Sequence, residues 1–167
     1  MVGRVGGGRA VTAVEVVAAL RARGETVATA ESLTAGLVAA ELTEVPGASA
    51  AVRGGLVVYA TELKHTLAGV DAELLAEHGA VHPEVARQLA DRARVRCGAT
   101  WGLGLTGVAG PDPQDGVEPG TVHLALSGPS GSAVRTITVA GGRRDVRRAS
   151  VDAALDLLLT HLKIPDE

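Results

Sequence analysis

The hydrophobic period of this chain switches repeatedly between that of a helix and that of a strand, and the order of the switches limits its fold more than anything else. Thr12 and Glu15 have the spacing of a capping box, and Val14, Val17, Ala18 and Leu20 continue a helical stripe. Gly24 follows the basic Arg21-Ala22-Arg23 end and suits a helix C-terminus. Glu25 to Ala30 reads as a strand, and a helix is expected from about Leu33 to Glu44, ended by Pro46-Gly47. Val52 to Ala60, centred on Leu56-Val57-Val58-Tyr59, reads as a strand covered on both faces. Thr61 reads as the N-cap of a short helix with Lys64 in its first turn, and Asp71 opens another that ends at Gly79. His82-Pro83 begins a longer helix whose buried stripe is Val85, Ala86, Leu89, Ala90 and Ala93. Trp101, Leu103 and Leu105 then alternate with Gly102, Gly104 and Thr106 as a strand, followed by a Gly-, Pro- and Asp-rich loop up to Gly120. Thr121 to Ser127 and Ala133 to Ala140 surround Gly128-Pro129-Ser130-Gly131, a hairpin signal, before a last helix from Asp145 to about Leu162. Helices alternating with strands, then a hairpin, imply an α/β layered fold on a mixed sheet.

A chain of 167 residues fits one domain, expected over residues 11–167 after a flexible, glycine-rich arm at 1–10 that lacks the apolar stretch of a secretory signal. At 46% hydrophobic and 21% charged it has the composition of a folded protein. Phenylalanine is absent and Tyr59 and Trp101 are the only Tyr and Trp, so the core must be built from Val, Leu and Ala. The missing aromatics also argue against a base-stacking surface, and a net charge of −3 offers no general attraction to nucleic acid or anionic membrane. No apolar run reaches the roughly 20 residues that span a bilayer. A soluble, cytoplasmic protein is therefore expected. Cys97 is the only cysteine, which excludes an intrachain disulfide, and at a helix end it reads as a buried structural thiol. His65, His78, His82, His123 and His161 lack paired-ligand spacing, so no metal site is expected.

Two stretches carry the chemistry. An apolar run, Val27-Ala28, leads directly into Thr29-Ala30-Glu31-Ser32-Leu33-Thr34-Ala35-Gly36, where a strand is expected to turn into a helix. Ser32 there either caps that helix or acts as a nucleophile beside unpaired helix N–H donors. A serine needs an adjacent base, and a lysine serves only when burial or positive charge lowers its pKa. Lys64, in a helix first turn, is electrostatically misplaced, which fits either a surface charge or a functional group. Gly102-Leu103-Gly104-Leu105-Thr106-Gly107 matches the dinucleotide fingerprint in letters only, because its glycines lie within the strand and a Pro-rich loop follows. Its small residues instead suit close approach of another element. Arg143-Arg144 and Arg147-Arg148 form a basic helix start, either solvated or able to meet an anion.

Ala30-Glu31-Ser32-Leu33-Thr34-Ala35-Gly36 resembles the A-E-S-x-T-G-G signature of the CinA C-terminal domain family. Further matches follow in order: Gly55 through Tyr59 to Lys64, Gly79-Ala80-Val81, Gly104 to Pro111, Pro119-Gly120-Thr121-Val122, and Gly141 through Arg143 to Arg147. The resemblance implies a three-layer α/β/α sandwich with a mixed sheet. It also implies an amidohydrolase that deamidates nicotinamide mononucleotide to nicotinate mononucleotide and ammonia, without metal or other cofactor. Ser32 would be the nucleophile and Lys64 its base, with Tyr59 and Thr106 orienting them. Thr34, Gly36, Gly107, Gly110 and Arg143 would bind the nucleotide. A homodimer is expected on the same ground, with no nucleic-acid or membrane partner. Larger members carry an additional N-terminal domain, and this chain resembles the stand-alone form. Four positions depart from the pattern: Ala35 stands for glycine, Thr61 for asparagine, His82 for serine and Gly142 for aspartate. These departures keep a second possibility open, a non-catalytic module that binds a nucleotide or protein partner in competence or the response to DNA damage.

Overall fold

The computed structural model describes residues 12–164, so the arm expected over 1–10 lies outside the described residues. Five strands form one mixed sheet in the order β2-β1-β3-β4-β5. The strands are β1 (Val27–Glu31), β2 (Val52–Val57), β3 (Trp101–Gly107), β4 (Thr121–Gly128) and β5 (Gly131–Thr138). β1 lies between β2 and β3 and parallel to both, whereas β4 and β5 add an antiparallel hairpin closed by Pro129-Ser130. Helices α1 (Ala13–Arg23), α2 (Leu37–Thr43) and α6 (Arg143–Leu162) pack with Leu103, Leu105, Leu124 and Leu126 on one face. The other face carries α3 (Thr61–Thr66), α4 (Ala72–His78) and α5 (Pro83–Cys97), with Val85, Leu89 and Ala93 of α5 packed over Ala28 and Ala30. The fold is a three-layer α/β/α sandwich. No helix among the described residues is long and apolar enough to cross a membrane.

Local chemistry accounts for most of the helix ends. Thr12 and Glu15 close the capping box of α1, and Gly24 ends it with a left-handed φ of 65°. Asp71 caps α4 through the Glu73 N–H. His82 caps α5, its Nδ1 accepting the Glu84 N–H at 3.1 Å, so histidine does here what serine usually does. The central strand β3 is buried along its whole length. A Cβ on Gly102 would collide with the Ala90 carbonyl, and one on Gly104 with that of Ala86. The element that approaches β3 so closely is therefore α5, whose Ala86 and Ala90 meet Ala125 of β4.

Four expectations change. β2 is not covered on both faces: it lies at the sheet edge beside β1 alone, and its residues alternate between half-buried and exposed. The helix expected from Leu33 begins only at Leu37, because Ala35 (φ 47°) and Gly36 (φ 95°) take left-handed conformations that no right-handed helix accommodates. Ala60, not Thr61, is the N-cap of α3, which places Lys64 in the last turn of that short helix. Cys97 is only half-buried, since the last turn of α5 carries exposed Val95 and Arg96 beyond the core.

Candidate active site

β1 and β3 run side by side in the same direction, yet the chain leaves them in opposite senses, toward β2 by way of α2 and toward β4 by way of the 107–120 loop. Such a switch point opens a crevice at the carboxyl ends of the strands. Glu31 pairs with both Val57 and Leu105, so Ser32, Val58-Tyr59 and Thr106-Gly107 come level at that end. The Ser32 N–H extends the ladder by donating to the Leu105 carbonyl at 3.2 Å. Strand alternation then assigns the faces. Ser32 continues the side of Ala28 and Ala30, and Thr106 continues that of Gly102 and Gly104, so both turn toward the α3–α5 layer.

Glu31 points the other way. Its carboxylate, 1% exposed, accepts the hydroxyls of Thr29 (3.0 Å) and Thr34 (2.7 Å) and the N–H groups of Val38 (2.9 Å) and Ala39 (3.1 Å). Glu31 therefore caps α2, placing negative charge where the helix leaves its donors unpaired. Ser32 is released from that duty and lines a cavity of about 370 Å³. The turn after it is braced by Arg147, which donates to the Leu33 carbonyl at 2.9 Å.

Lys64 is the largest fully buried side chain among the described residues. Its Nζ donates to the carbonyls of Val58 (2.8 Å) and Tyr59 (3.1 Å), immediately past the end of β2. Burial disfavours the charged form and lowers its pKa to about 8, against the attraction of Asp115 and Glu62. A neutral amine has two N–H groups, which the two carbonyls satisfy, and its lone pair remains to accept a proton.

The cavity wall brings together Ser32, Tyr59, Gly107, Gly110 and Arg143. Arg143, in the first turn of α6, donates to the Gly110 carbonyl at 2.7 Å and to the Tyr59 hydroxyl at 2.6 Å. Thr34, Gly36, Thr106 and Lys64 do not line it. Thr34 is fully buried on Glu31, and Gly36 is the left-handed residue at the start of α2. The Thr106 hydroxyl donates to the Ala80 carbonyl at 2.7 Å. Sequence reasoning gave Glu31 and Asp115 no role, and read Arg147 only as part of a basic helix start. Among the described residues no three His, Cys, Asp or Glu side chains are placed to hold a metal ion.

The profile of the CinA C-terminal domain matches residues 10–162. A CinA-like protein of Anaeromyxobacter sp. (strain K) is 52% identical over 149 residues, covering 89% of this chain and 36% of that protein. A CinA-like protein of Frankia casuarinae is 50% identical over 143 residues, covering 86% and 33% respectively. The chain thus spans about a third of the length of these curated relatives. A solved CinA superfamily protein from Klebsiella pneumoniae superposes with a TM-score of 0.87 at 30% identity, covering 90% of this chain and 94% of that one. The competence/damage inducible protein CihA from Agrobacterium tumefaciens gives 0.85 at 33% identity, covering 94% and 99%.

Proposed function

The chain belongs to the CinA C-terminal domain family, and from that premise we propose that its switch-point cavity deamidates nicotinamide mononucleotide through Ser32 and Lys64. The observation that carries the proposal is a buried lysine, poised at a pKa of about 8, on the side of the sheet toward which Ser32 turns. At pH 7 such an amine is neutral in roughly one molecule in ten, against roughly one in three thousand for a free lysine.

Ser32 Oγ attacks the carboxamide carbon while neutral Lys64 takes its proton. The oxyanion is received by the N–H groups of Leu33 and Thr34, which lie in the turn that precedes α2 and have no acceptor among the described residues. Lys64 passes the proton to the leaving nitrogen, ammonia departs, and an ester to Ser32 remains. Water, deprotonated by Lys64, attacks that ester to release nicotinate mononucleotide and restore the serine. Arg143 exchanges its neutral acceptors, the Gly110 carbonyl and the Tyr59 hydroxyl, for phosphate oxygens and gains charge-assisted bonds. No cofactor takes part.

One observation favours the second reading, a binding module without catalysis: Nζ is engaged by two carbonyls and forms no hydrogen bond to Ser32. Ammonia release from nicotinamide mononucleotide separates the two. Wild type is expected to turn the nucleotide over, and Ser32→Ala to lose roughly 10³-fold or more in kcat while still binding it. Nucleotide binding by an inactive, well-folded wild type would establish the binding module instead.

A further inference from the structure

The loop after β3 does more than wall the cavity. Gln114 and Val117 bridge its two limbs, and between them Asp115 takes a left-handed φ of 49°. That conformation turns Asp115 onto the corner between α4 and α5. Its carboxylate accepts the Ala80 N–H at 3.3 Å. It also lies so close to Gly79 (φ 75°) that a Cβ there would stand 2.8 Å from Oδ2. The other side of the same corner is held from β3, where Thr106 donates to the Ala80 carbonyl. Ala80 is thus gripped at both ends of its residue, once by the cavity loop and once by the strand bearing the crevice.

This clasp brings a carboxylate from a distant part of the chain to bear on Lys64. Asp115 exerts the strongest attraction among charged side chains, ahead of Glu62 on the lysine's own helix. His65, also on α3, is held by the Val70 carbonyl. His78 and His82 flank the corner, stacked with ring centroids 4.5 Å apart, and His82 Nδ1 is committed to the Glu84 N–H. Glu31 is turned to the opposite layer.

We propose that Asp115 is a positioning residue: clasped to Gly79-Ala80, it fixes the cavity loop against the corner between α4 and α5 and holds there a negative charge that acts on the Lys64 amine. The proposal deepens the serine–lysine reading and rests on it for its catalytic meaning. Without the charge, burial would lower the Lys64 pKa further, so that more of the amine is neutral but each neutral amine is a weaker base toward the Ser32 hydroxyl. With it, one amine can take a proton and return it within a turnover near neutral pH.

Asp115→Asn tests this cleanly, because asparagine tolerates the left-handed conformation and keeps an acceptor for Ala80 while removing only the charge. The Lys64 amine is followed from pH 6 to 10 by competitive acetylation with acetic anhydride, read by mass spectrometry, which needs no turnover. D115N is expected to lower the labelling midpoint by roughly half a unit or more from about 8, and D115E to leave it near wild type. The acid limb of the kcat profile for ammonia release should move with it. An unchanged midpoint in folded D115N overturns the proposal. Where the variants do not fold, the Ala80 amide resonance of wild type decides. It should titrate with the Lys64 midpoint, and a flat trace across that transition overturns the proposal. A wild type without deamidase activity but with a shifted D115N midpoint would refute the functional reading and leave the charge link standing.

Discussion

The stability of Lys64→Met relative to wild type should fall as pH rises, while the variant is inactive at every pH. Lys64 is 1% exposed, and burial moves its pKa from 10.5 to about 8. Between those values the unfolded chain binds a proton that the folded chain does not, so unfolding free energy rises with pH across that window. Below about pH 8 both states are protonated and the folded state bears the full cost of a buried ammonium. A difference of about 2.5 units at 1.36 kcal/mol each sets that cost at up to about 3 kcal/mol. Above about 10.5 both states are neutral and the cost is gone. Methionine has no such cost at any pH, although it strands the Val58 and Tyr59 carbonyls, a penalty that does not vary with pH. Urea unfolding followed by the fluorescence of Trp101, the single tryptophan and a buried one, supplies the assay. The difference K64M minus wild type should fall by about 3 kcal/mol between pH 7.5 and 10.5, since every other titrating group is common to both. A difference that stays flat over that range would show that the lysine is not held at a depressed pKa, and the serine–lysine chemistry would lose its base.

Two further substitutions probe the packing around the site. Gly104→Ala should cost roughly 2 kcal/mol or more and lower the melting temperature by about 5 °C, because the new methyl meets the Ala86 carbonyl. A melt within about 1 °C of wild type would mean that α5 does not press on β3 as described. Ala35→Gly should stabilise by up to about 1 kcal/mol, since φ 47° strains an L-residue and the relief exceeds the entropy that glycine adds to the unfolded chain. A loss of stability in the same urea assay would contradict a left-handed Ala35.

Much of this molecule was legible one residue at a time. The boundaries of α1 and α4 and the start of α5 were written in Thr12, Gly24, Asp71, Gly79 and His82, because a helix end is decided by the few residues that reach or free its unpaired backbone groups. The five-residue stripe of α5 appeared in the core as its period required. The Gly128-Pro129-Ser130-Gly131 turn closed the hairpin, and the glycines of β3 marked a close approach without saying by what. Ser32, Tyr59, Gly107, Gly110 and Arg143 were picked out by motif, and the fold brought them to one cavity wall.

Other features were decided only in three dimensions. Nothing local distinguishes Ser32 from Glu31 as the cap of α2; the choice follows from strand alternation, which turns Glu31 to the α2 side and Ser32 to the other. The β-branched run of β2 suggested a covered strand, but the order of the sheet placed it at the edge. Burial of Lys64, and hence its pKa, depends on the layer packed around it, and Asp115, held on Ala80, attracts it from a loop some fifty residues along the chain. Capping and periodicity act over a few ångströms between near neighbours in sequence, so the order of residues determines them. The charge state of a buried base depends on distances between groups that only the closed sandwich brings together.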